Sequence, residues 1–171
     1  MAKKPAPAAR ELVVETRFQR LAKRAGGVTK EKAVERAEAE IERAKPGFDE
    51  WLKAELRDFA GFIKNAEAEE VTADWIARAN FRSRQLRDSA TIMGFELLAF
   101  IGNSLCEILD SMEAGNACNM ESIVCHMDAL TLAGKGSYRR LKPDQVPELT
   151  KGLRRVVNQV NNTARKAANR R

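Results

Sequence analysis

The stretch Phe95–Met112 reads FELLAFIGNSLCEILDSM. Leu98, Ile101, Leu105, Ile108 and Met112 recur at intervals of three, four, three and four residues. That rhythm sets them on one stripe of an α-helix, the face a bundle buries. The apolar run from Met93 to Leu109 is interrupted by Glu96, Asn103 and Glu107. It therefore predicts an amphipathic packing helix and not a membrane span.

Upstream lies Arg84–Ala99, RQLRDSATIMGFELLA. It belongs to a helix expected to begin at Thr72, whose apolar stripe is Trp75, Ala79, Leu86, Ala90 and Met93, with Thr72 as N-cap and Asp74 in the first turn, where the macrodipole favours acid. Gly94 marks a bend or a close helix contact. Further back, Phe48, Leu52, Leu56, Phe59 and Ile63 line a helix that Pro46 is expected to start. Thr29–Lys45 is rich in charge and predicts a solvated helix anchored by Val34, Ala37, Ile41 and Ala44.

Downstream, Gly115-Asn116 breaks the pattern and Asn119 caps a helix carrying Met120, Ile123, Met127 and Leu130. Residues 134–143 read as loop. Asp144 is the expected cap of a last helix, with Leu149, Leu153, Val156 and Val160 as its stripe. Beyond Val160 the chain turns polar and basic and is expected to fray. Good helix formers dominate, and strand-type alternation is absent. Short connections favour antiparallel neighbours, so the predicted fold is all-α: an up-and-down four-helix bundle with additional N-terminal helical segments. The expected divisions are a basic flexible arm (1–28), a charged helical extension (29–45), the bundle (46–162) and a basic C-terminal tail (163–171).

The net charge of +6 conceals a split. Residues 1–30 hold eight Lys/Arg against two Glu, and residues 151–171 hold seven Lys/Arg and no acid. The middle, 31–150, holds 15 basic and 22 acidic residues, a net −7. Basic ends of this kind can be solvated tails or can meet nucleic acid, so a nucleic-acid-associated helical protein is one reading. Against it, no basic stripe with interleaved aromatics and no DNA-binding module can be read. The three cysteines, Cys106, Cys118 and Cys125, are odd in number and argue against a disulfide framework. The N-terminal residues lack a signal-peptide apolar run. A cytoplasmic protein without membrane partners is expected.

Catalytic constellations are missing. The chain has one histidine, His126, and no glycine-rich phosphate loop. Cys118 and Cys125-His126 do not match zinc spacings. No metal, no cofactor and no enzymatic activity are expected. His126 lies one step off the Ile123–Met127 stripe, which predicts a boundary histidine hydrogen-bonded to a neighbouring helix.

Segment 84–98 resembles the core motif of histidine-containing phosphotransfer (HPt) domains, H-x-L-K-G-S-A-x-x-x-G-x-x-x-L. The matching residues are Leu86, Arg87 for the lysine, Ser89, Ala90, Gly94 and Leu98. Arg84 stands at the acceptor histidine and Asp88 at the glycine. The resemblance spans roughly residues 46–160 and implies a four-helix bundle of bacterial two-component signalling. It implies a receiver domain or histidine kinase as partner, with self-association as a further option. A guanidinium stays protonated and is not nucleophilic, so phosphotransfer at position 84 is expected to be absent. Residues 84, 87 and 88 share a helix face, with Asn80 one turn earlier. Asn80, Arg84, Arg87 and Asp88 are thus the candidate partner-binding residues, with an Arg84–Asp88 ion pair expected among them. The remaining alternative is an active phosphotransfer protein using His126.

Overall fold

The computed structural model describes residues 26–66, 71–117 and 119–168, with side chains as far as Thr163. The expected basic arm thus lies mostly, and Cys118 wholly, outside the described residues. The chain divides into two compact units, residues 1–40 and 41–171. In the first, the described residues 26–40 are exposed throughout, including Val34 and Ala37. Those two therefore anchor nothing among the described residues.

Every regular element among the described residues is helical: α1 (Lys30–Ala66), α2 (Ala73–Ile92), α3 (Glu96–Glu113), α4 (Met120–Ala133), a short 3-10 turn (Pro143–Gln145) and α5 (Pro147–Ala168). The all-α bundle expected from the periodicity is what the chain forms. None of these helices is long and apolar enough to cross a membrane.

Helix α3 is the hub of the second unit. It packs against α2, α4 and α5. Leu98, Ile101, Leu105 and Ile108 are completely buried, and Met112 nearly so. Each large apolar side chain so buried contributes on the order of 1.5–3 kcal/mol. The second part of α1 lies antiparallel to α2. Phe48 stacks on Phe95 at 5.4 Å, the Arg82 Nε donates to Glu55 at 2.9 Å, and Phe62 stacks on Trp75 at 5.4 Å.

The caps at Thr72 and Asn119 form as expected, accepting from the Trp75 and Ser122 amides at 3.2 and 2.9 Å. Gly94, at φ 75°, is the bend between α2 and α3. That left-handed conformation favours glycine because it has no Cβ to clash.

Three boundaries differ from expectation. Pro46 sits inside α1 and does not start a helix. A proline ring removes one backbone donor, and the exposed Pro46 is followed at once by the buried stripe from Phe48 to Ile63, whose packing supports the helix beyond it. Asp144 falls within the 3-10 turn, and Pro147 takes the first position of α5. Proline is favoured there because its missing N–H would be unpaired in any case. Finally, α5 does not stop near Val160 but runs to Ala168.

The segment between α4 and α5 is pinned rather than loose. The Arg139 guanidinium is buried, pairs with Asp49 of α1 and donates to the Gly134 carbonyl at 2.9 Å.

Candidate functional site

The motif residues divide cleanly by face. Leu86, Ala90 and Leu98 are fully buried and hold α2 and α3 in the core. Arg84 and Asp88 are exposed, and Arg87 and Ser89 are half-buried. The Arg84 side chain keeps 48% exposure on the outer flank of α2.

The expected Arg84–Asp88 pair does not form. Arg84 reaches across to α3, where its Nη2 donates to Asp110 Oδ1 at 2.6 Å. Its Nε donates to Asn80 Oδ1 at 3.2 Å, and Asn80 Nδ2 donates to the same Asp110 oxygen at 2.7 Å. The three side chains close a circuit around one carboxylate. The hydrogen bond to Asp110, ahead of its charge, raises the Arg84 pKa above the ordinary guanidinium value. Arg84 is thereby fixed as a permanent, non-nucleophilic cation.

Asn80 corrects a second expectation. It is only 2% exposed, so it positions Arg84 and Asp110 from beneath and presents nothing to a partner. Asp88 pairs with its own neighbour, accepting from Arg87 Nε at 2.8 Å. That bond outweighs burial and raises the Arg87 pKa. The four candidate residues thus form two ion-paired groups, and the two guanidiniums carry compensated charge.

Beneath this surface α2 and α3 approach closely, at Gly102 and not at Gly94. A Cβ placed on Gly102 would lie 3.2 Å from Arg87 Cβ and 3.3 Å from its Cα. Ser83 Oγ donates to the Gly102 carbonyl at 3.2 Å, and Cys106 Sγ donates to Ser83 Oγ at 3.3 Å. Desolvation raises the Cys106 pKa, so its thiol is held protonated and inert.

Asp110, Gly102, Ser83 and Cys106 are absent from the expected set, although the sequence carried a signal for them. Folding the chain back at Gly94 sets Arg87 opposite Gly102, Ser83 opposite Cys106 and Asn80 opposite Asp110.

His126 is not at the bundle boundary but fully buried. The expected bond to a neighbouring helix is present. Nδ1 lies 2.7 Å from the Ser122 carbonyl, which can only accept, so Nδ1 carries the proton. Nε2 then accepts from Ser104 Oγ of α3 at 2.9 Å. Burial lowers the His126 pKa, which keeps the ring neutral. His126 is thus buried, with both ring nitrogens engaged inside the bundle and neither presented at its surface.

Among the described residues no group of three or more His, Cys, Asp or Glu is placed to hold a metal ion. No protein-family model, curated protein or solved structure matches the chain. The HPt resemblance rests on its motif residues and on the helical architecture alone.

Proposed function

We propose that this chain is a non-catalytic HPt-like signalling protein that binds a receiver domain or a histidine kinase without passing phosphate. The observation that carries the reading is Arg84. It stands where the motif has its acceptor histidine, it is half-exposed on the bundle surface, and Asn80 and Asp110 hold it in place. An acceptor must offer an unprotonated nitrogen, and a guanidinium has none to offer. What remains is recognition: a fixed cation with planar donors suits the acidic phosphorylation pocket of a receiver domain. Because Arg84 already shares Asp110, the attraction is that of an ion-paired surface, and apolar neighbours must supply much of the affinity.

The test is a binding and transfer screen against the receiver domains and histidine kinases encoded in the same genome. At least one should bind, and Arg84→Glu should weaken that binding while the helical CD spectrum is unchanged. Label passed from a charged kinase or receiver should leave no acid-labile phosphate on the chain. Acid-labile phosphate, or failure to bind any member of either class, would overturn the proposal.

A further inference from the structure

Phe81 and Ile92 are the two most exposed large apolar side chains among the described residues, at 63% and 62%. Both lie on α2. Eleven residues is close to three helical turns, so they sit within about 20° of one line and about 16 Å apart along the axis. This line faces away from the core, opposite Ala79, Ser83 and Ala90, which are all completely buried. Between Phe81 and Ile92, on one flank of the line, come Arg84 and Asp88, with side chains 48% and 62% exposed.

The order along the face is apolar, cation, anion, apolar, with the cation and the anion each also paired within its own copy, to Asp110 and to Arg87. That order is its own complement when reversed. A twofold axis perpendicular to α2, passing between residues 86 and 87, exchanges the positions of Phe81 and Ile92. The same axis brings Arg84 of one copy beside Asp88 of the other, on the same flank. The reverse pair forms by symmetry, as an isologous interface requires. A parallel arrangement would instead put the two copies' Arg84 and Asp88 on opposite flanks and at different heights, and would forgo the cross pair.

We propose that the outward face of α2 pairs antiparallel with the same face of a second copy of this chain, Phe81 on Ile92 and Arg84 beside Asp88. A strip three turns long covers less than the roughly 800 Å² per partner of a stable interface. The pair therefore forms at high concentration and dissociates readily. It covers the face that carries Arg84, so self-association and capture of another partner compete. The inference does not depend on that partner being a receiver domain.

Sedimentation equilibrium of the full chain between roughly 10 µM and 1 mM reads the pairing directly. The expected result is a mass rising from one copy towards two. Phe81→Glu and Ile92→Glu should each raise the dissociation constant about tenfold or more, the equivalent of ~1.4 kcal/mol. Asp88→Lys, which sets a second cation beside Arg84 of the other copy, should also weaken the pair. All three positions are exposed, so CD spectra and urea midpoints should stay close to those of the parent chain. A chain that remains a single copy throughout the range overturns the proposal. So does a dimer that Phe81→Glu leaves intact, since its contact must then lie elsewhere. Neither result bears on the receiver-binding screen, which is read at low concentration with a different partner.

Discussion

Helix α2 is held from two sides by opposite means. Towards α1 the gap is filled by large groups. Phe59 is completely buried, the Arg82 guanidinium lies 5.5 Å from the centre of its ring, and Arg78 lies 5.3 Å over Phe62. Towards α3 the gap is closed by the absence of groups. Gly102, Ser83 and Cys106 let the two helices meet nearly backbone to backbone, with hydroxyl and thiol hydrogen bonds in the seam. An aromatic wall gains its energy from area removed from water, whereas a small-residue seam gains it from close contact and fully satisfied polar atoms. The two sides should therefore fail under opposite changes, one on losing atoms and the other on gaining them.

The largest effect is expected from emptying the aromatic side. Phe59→Ala should cost about 3–5 kcal/mol, read as a lower urea midpoint. Filling the seam comes next. Gly102→Val drives branched carbon into Arg87 Cβ and Cα, and about 2–3 kcal/mol should be lost despite the better helix former. If Phe59→Ala were mild and Gly102→Val neutral, the contrast between the two sides would be void.

The polar circuit ranks third. Asp110→Ala strips the buried Asn80 amide of its acceptor and should cost about 1–3 kcal/mol. Arg84→Gln, on the exposed end of the same circuit, should leave the urea midpoint unchanged within error. Equal losses from the two would mean that Arg84, and not Asn80, is the part that matters for stability.

The smallest loss expected lies on the other side of α3, where Ser104 meets His126. Burial lowers the folded pKa of His126 below the unfolded value near 6.5, so the unfolded chain takes up the proton first. Its contribution is complete above about pH 6.5 and declines as pH falls through that value. Unfolding at pH 7.5 and pH 5 should show a loss on acidification that is smaller in His126→Gln.

Much of the fold was legible because apolar periodicity reports burial directly. Phe48 to Ile63, Trp75 to Ala90 and Leu98 to Met112 all lie where their spacing put them. The start of α1 was not legible. Proline at a first turn and proline on the exposed side of a longer helix look alike until the buried stripe beyond it is counted. The site was half legible. Helical spacing grouped Arg84 with Asp88, but only on one helix, and a guanidinium chooses among carboxylates in three dimensions. Asp110 is 26 residues away and wins because the hairpin returns it to Arg84. Asn80 misled because asparagine reads as a surface residue until a buried partner appears.

The left-handed glycine at position 94 has one more consequence, and it concerns time. It reverses the chain in a few residues, so the seam from Ser83 and Arg87 to Gly102 and Cys106 joins segments close in sequence. Contacts of such low order demand little loop closure before they form. The α2–α3 hairpin is therefore expected to assemble early, and φ-values near 1 at Ser83 and Cys106 would be the sign of it.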